Sequence, residues 1–140
     1  MMKLTLIRFG AQEVEIDPQS VIAFPKGLPP FEDCTRYKLF HEEDKPSVFW
    51  LQSLDDPSIV FSVTDPALLN VAYDVTLTDE EQALLDMAPD DELLLAVVLY
   101  KDETGLNANT RAPIILNTGK RLGLQKMLQE FQLQLSIRGN

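Results

Sequence analysis

Apolar and polar positions alternate along this chain in short bursts rather than in long helical stripes. Ile59, Phe61 and Val63 interleave with Val60, Ser62 and Thr64, which is the period of a strand with one dry face and one mixed face. The preceding run, Val48, Phe49, Trp50 and Leu51, is apolar on both faces and predicts a central strand. Asp55, Asp56 and Pro57 lie between them. Proline fixes its own φ and aspartate bonds to local backbone, so Ser47 to Pro66 reads as a hairpin that Asp65-Pro66 closes. The rest of the chain is expected to pack around it.

Shorter bursts flank this hairpin. Lys3 to Phe9 and Glu13 to Asp17 alternate around Gly10 and predict an N-terminal hairpin, and Ser20 to Phe24 a third short run. The segment Phe24 to Asp33, FPKGLPPFED, excludes helix and central strand, because its prolines lack backbone donors and Gly27 invites positive φ. It predicts a stiff loop pinned to the sheet by Leu28 and Phe31. Tyr37 to His41 alternates as a strand and ends in the charged corner from Glu42 to Pro46; Ala67 to Asn70 is a bend and Tyr73 to Leu77 a short strand.

One helix is predicted, over about 78–88. Thr78 is its N-cap, Glu81 the capping-box partner and Pro89 the stop, with Ala83, Leu84 and Met87 forming the face that docks on the sheet. Glu92 to Lys101 reads as a core strand, Asp102 to Asn109 as a loop or irregular strand end, and Thr110 to Asn117 as a strand that Pro113 confines to an edge or bulge. After a turn at Thr118-Gly119-Lys120, residues 121–137 fit both a helical and a strand period, and a broken strand pair is expected. The fold class is therefore mainly β: a single antiparallel β-barrel-like or sandwich domain, residues 1–140, with one short helix.

Composition narrows the function classes. With 140 residues and 45% hydrophobic content, one domain can bury a continuous core without disulfides. A single cysteine, Cys34, and a single histidine, His41, exclude a disulfide framework and a cluster of soft metal ligands within one chain. The N-terminal apolar run, broken by Arg8, is too short for a signal h-region or a membrane span, which predicts a cytoplasmic protein. A net charge of -10 argues against direct nucleic-acid binding and favours a basic protein partner, although an acidic surface also serves solubility alone.

Catalytic chemistry finds little to build on. No Gly-rich phosphate loop, histidine pair or Gly-x-Ser-x-Gly nucleophile turn occurs. Asp55 or Asp56 with Asp65 could form an acid-base pair only if they faced each other across a cleft, and the turn Asp55-Asp56-Pro57 lacks the spaced ligands and glycine of a calcium loop. Glu32 and Asp33 disfavour a thiolate at Cys34, and His41 reads as an exposed strand end. No catalytic group, cofactor or metal site is expected.

Four segments, VIAFPKGLPPFED (Val21 to Asp33), WLQSLDDP (Trp50 to Pro57), VTDP (Val63 to Pro66) and NTRAPIILN (Asn109 to Asn117), together resemble the flagellar assembly factor FliW family in order and spacing along essentially the whole chain. Departures are Pro29-Pro30 where the family has Pro-Gly, Val71-Ala72-Tyr73 for Pro-Asp-Tyr, and a C-terminal SIRGN. The resemblance implies a non-enzymatic, cytoplasmic regulator with a β-barrel-like fold. Its members bind the RNA-binding translational regulator CsrA, relieve its repression of flagellin translation, and bind flagellin, so that the two partners switch. Phe24, Pro25, Leu28, Leu51, Pro57 and Pro113 are explained by the fold alone. For a basic partner the candidate contacts are the exposed acids beside the stiff loops, Glu32, Asp33, Asp55, Asp56 and Asp65; flagellin would take an apolar groove or a free strand edge. The reading from another class is a small-ligand carrier, which requires a hollow barrel.

Overall fold

The computed structural model describes residues 2–6, 12–42, 45–73 and 75–128. The N-terminal hairpin forms as its alternation predicts: β1 (Met2–Leu6) and β2 (Gln12–Ile16) pair antiparallel, with Leu4 opposite Val14. Its turn at Gly10 and the corner at residues 43–44 lie outside the described residues. Asp17 then caps a 3-10 turn, Pro18–Ser20, by accepting from the Gln19 amide at 2.8 Å.

A seven-stranded barrel follows. It is built from β3 (Ile22–Ala23), β4 (Arg36–Glu42), β5 (Lys45–Ser53), β6 (Val60–Thr64), β7 (Leu93–Asp102), β9 (Ile114–Asn117) and β10 (Leu122–Gln125), with β8 (Gly105–Ala108) attached to the end of β7. The strand order β6-β5-β4-β3-β10-β9-β7 closes on itself because β6 also pairs with β7. Every neighbour is antiparallel except β3 and β10, which meet in parallel through Ala23 and Leu122. The barrel is thus mixed rather than wholly antiparallel. Nothing local in either strand signals the parallel contact, which joins opposite ends of the sequence.

The β5–β6 hairpin is as its pattern predicts, with Phe49 opposite Val63 and Leu51 opposite Phe61. Leu51 and Val63 face inward with Phe24, Leu28, Tyr37, Ile114 and Leu116, all at most 3% exposed, and these side chains fill the barrel. Phe24 and Tyr37 meet edge-on with ring centroids 5.3 Å apart. Gly123 exists to admit Phe24: a Cβ there would lie 2.5 Å from the ring. A filled interior removes the cavity that a carrier of small ligands would need.

Among the described residues, two pieces cover the outside. The β1–β2 hairpin lays Leu4 and Ile16 on Phe40 and Leu54, and α1 (Asp79–Leu84) with its following turn lays Leu85 on Ile115 and Leu124. The capping box is formed: Glu81 N–H donates to Thr78 Oγ1 at 3.1 Å and Thr78 N–H to Glu81 Oε1 at 2.8 Å. The helix is shorter than the expected 78–88, because Asp86 adopts φ +48° and ends it, and the docked residue is Leu85 while Ala83 and Met87 are exposed.

Three further expectations are corrected. Residues 71–73 and 75–78 form no strand; Tyr73 is held instead by its hydroxyl, which donates to Thr110 O at 2.6 Å, and Val75 and Leu77 pack under α1. Residues 102–109, expected as a loop or an irregular strand end, form a hairpin: Asp102 Oδ1 accepts from the Thr104 amide and hydroxyl, making a two-residue turn that folds β8 back on β7. Pro113 precedes β9 rather than interrupting it, so β9 is central and fully buried, between β7 and β10. Of the tail, β10 forms over Leu122–Gln125, and the expected second strand of the 121–137 pair lies outside the described residues.

Candidate partner-binding surface

The loop before β4 and the turn between β5 and β6 meet at one end of the barrel, and the acids converge there. Proline and glycine set the first loop: Gly27 takes φ +68° where a Cβ would stand 2.6 Å from the Glu32 backbone, and Leu28 bridges to Phe31. Leu28 is buried as a pin should be. Phe31 is 40% exposed, resting edge-on against Phe61 at 6.1 Å, so it holds the loop only in part.

Asp55 locks the two segments together. Its Oδ2 accepts the Thr35 and Arg36 amides at 2.9 and 3.0 Å, and its Oδ1 accepts from Arg36 Nε and Nη2 at 3.1 and 2.9 Å. Partial burial works against its charge, but the Arg36 guanidinium and these amides outweigh that and hold its carboxyl below the usual carboxylate range. Asp56 accepts from the Ser58 amide and hydroxyl at 3.1 and 2.7 Å, and Ser53 Oγ accepts both aspartate amides. Glu32 and Asp33 are exposed on the adjoining loop. Four of the five candidate acids therefore share one corner, of which Asp55 is partly neutralised by Arg36. The sequence reading does not mark the guanidinium partner: Arg36 lies just before the expected strand Tyr37 to His41 and is the first residue of β4.

Asp65 is elsewhere. It follows β6, whereas Asp55 and Asp56 precede it, so the strand's length separates them and no facing carboxylate pair exists. Asp65 caps the 3-10 turn Pro66–Leu69 by accepting from the Ala67 amide at 2.9 Å. It also stands at the rim of an open groove walled by Pro66, Val71, Tyr73 and Leu94. Leu94 in its wall is 54% exposed, and Leu68 and Leu69 at the end of the neighbouring 3-10 turn are 59% and 40% exposed. His41 is exposed, and Cys34 is buried as a free thiol. Among the described residues there is no group of three or more His, Cys, Asp or Glu able to hold a metal ion, and no helix long and apolar enough to cross a membrane.

The described residues define a small closed β-barrel protein with a filled interior, an acidic corner and an apolar groove. Comparison gives the family. A family model described as FliW protein matches residues 6–138. A flagellar assembly factor FliW of Azoarcus sp. (strain BH72) is 43% identical over 98% of both chains. One from Chromobacterium violaceum is 38% identical over 86% of this chain and 92% of its own. The crystal structure of a flagellar assembly factor FliW superposes with a TM-score of 0.79 at 26% identity, covering 98% of this chain and 96% of that one. The chain belongs to the FliW family, whose members are non-enzymatic flagellar assembly factors.

Proposed function

We propose that this chain is a cytoplasmic antagonist of a CsrA-type translational regulator, relieving its repression of flagellin translation, and that it also binds flagellin, so that free flagellin competes for it. The observation that carries this reading is the match to a flagellar assembly factor FliW over 98% of both chains. The acidic corner supports the first partner: Glu32, Asp33 and Asp56 present uncompensated charge on a protein of net charge -10, complementary to the basic surface of an RNA-binding regulator. Docked there, the same acids would repel RNA phosphates. The groove beside Asp65 supports the second, having apolar walls suited to an amphipathic or extended flagellin segment.

Calorimetric titration into the CsrA-type regulator of the same organism, at low and moderate salt and with or without premixed flagellin, tests the reading. Tight binding that weakens as salt screens charges beyond about 8 Å, and that flagellin abolishes, is the expected result. Charge reversal by Glu32→Lys with Asp56→Lys should weaken binding of the regulator, and Val71→Ser with Leu94→Ser should weaken binding of flagellin. If neither protein binds, the family resemblance extends to fold but not to these partners in this chain.

A further inference from the structure

β6 leaves the barrel wall before β7 does. The two pair through Ser62 with Leu99, Val63 with Val98 and Thr64 with Val97. There β6 ends: Asp65 caps the 3-10 turn, Pro66 has no amide hydrogen to offer, and its carbonyl accepts the Val71 amide at 3.1 Å. β7 still has Leu93–Ala96 on this side of the pairing, and those residues are matched only to β9, along the other edge. Among the described residues no strand pairs with Leu93–Ala96 on the edge that β6 has left.

Alternation along the strands says which backbone groups are left over. Lys126 N–H donates to Pro113 O at 3.0 Å, so Pro113 faces β10, and its successors Ile114 and Leu116 face β7. Their partners Ala96 and Leu94 therefore exchange bonds with β9, while Leu93 and Leu95 turn their N–H and C=O groups the other way, into the groove beside Asp65. Val98 O, which accepts from Asn109 N–H at 2.8 Å on the β8 side, gives the same phase. The groove thus combines an open run of main chain with the apolar walls Pro66, Val71, Tyr73 and Leu94. Leu93 and Leu95 pack their side chains under α1, so Leu94 points to the opposite face of β7, where it is 54% exposed. Asp65 is the one charged residue among the described residues that line the groove, and it is exposed. A helix satisfies its own main chain and would leave Leu93 and Leu95 unmet; an extended segment meets them.

We infer that the occupant of this groove is a short extended peptide segment that adds to β7 as a strand in line with β6, about 4.8 Å from it. Its main chain bonds to Leu93 and Leu95, one apolar side chain lies against Leu94, and a Lys or Arg at one end meets Asp65, the charge complement of an otherwise apolar groove. The inference rests on the reading above that flagellin takes this groove, and it specifies how flagellin is held: by strand addition, not by a docked helix.

Amide exchange resolved by residue, on the full chain alone and saturated with monomeric flagellin of the same organism, tests it. Without flagellin the Leu93 and Leu95 amides should exchange freely while those of Leu94 and Ala96 are protected by β9; flagellin should slow the first pair at least about tenfold more than the second. Asp65→Asn removes the charge but keeps a residue able to cap the turn. It should weaken flagellin binding about threefold at low salt, and by less as salt is raised. Flagellin that binds without added protection at Leu93 and Leu95, or with protection spread evenly over all four amides, overturns the inference and leaves the partner reading standing. Undiminished binding by Asp65→Asn at low salt overturns the cation placed at the rim. If flagellin does not bind at all, the partner reading fails and this inference falls with it.

Discussion

The two covers on the barrel's outer wall solve the same problem with different means. The β1–β2 hairpin carries its own ladder of backbone hydrogen bonds and needs only an apolar underside, Leu4 and Ile16, to stay on the sheet. The helix α1 has six residues, too few to be stable alone, and the structure fastens it with side chains instead. Lys126, 8% exposed, donates to both Glu81 oxygens at 2.6 and 2.9 Å; Asn117 donates to Leu85 O at 2.9 Å and to Asp91 at 3.0 Å; Lys120 donates to Asp86 O at 2.8 Å and to Asp91 at 3.2 Å. An element with internal pairing can rest on shape; one without it must be tied down at several points.

Substitutions can break this contrast. The largest effect is expected for Leu85→Ala, which empties a fully buried site between Ile115 and Leu124 and should cost about 3 kcal/mol in a denaturant titration. Next comes Lys126→Met, at about 2 kcal/mol, because Glu81 is left largely buried beside an apolar side chain; adding Glu81→Gln should recover part of the loss. If Lys126→Met is neutral, the claim that polar ties hold the helix fails. Leu4→Ala should also cost about 2 kcal/mol, and amide exchange should report it in β1 and β2 while α1 stays protected, since the covers share no contact cluster. Thr78→Ala, which loses the N-cap, should cost about 1 kcal/mol.

The smallest effect separates the covers by pH. Burial opposes the charge of Glu81, but Lys126 and the Thr78 amide prevail and hold its carboxyl below its ordinary 4.5. A depressed carboxylate contributes stability that is full above its unfolded pKa and fades as pH falls through the folded value, so the contribution of Glu81 should decline below about pH 4.5. The acid limb of a stability-against-pH curve should therefore flatten in Glu81→Gln and be unaltered in Leu4→Ala. Asp55, lowered in the same sense by Arg36 and backbone amides, adds to that limb in both variants.

Legibility in the sequence follows the range of the interaction. The β5–β6 hairpin, the capping box at Thr78 and Glu81, and the stiff loop around Gly27 depend on neighbours within a few residues, and each is as the pattern implies. The end of α1 was misjudged because Asp86, not Pro89, adopts the terminating conformation. The weak strand propensity of GLNA leaves Asp102 to Asn109 open between a loop and an irregular strand end, and pairing with the long β7 makes β8 a strand. At the candidate surface, the acids were visible as exposed loop residues, but the division between one corner and a distant Asp65, and the Arg36 clasp on Asp55, follow from how the barrel closes.

The parallel meeting of Ala23 and Leu122 has a consequence for synthesis. These residues stand about a hundred positions apart, and joining them pays the loop-closure entropy of most of the chain. On a ribosome, β4, β5 and β6 can pair as soon as they emerge, while the cylinder stays open until β10 is outside the exit tunnel. Nascent chains stalled short of residue 122 should remain open to protease along β3, and β10, which follows the other described barrel strands in chain order, becomes the clasp that shuts the barrel.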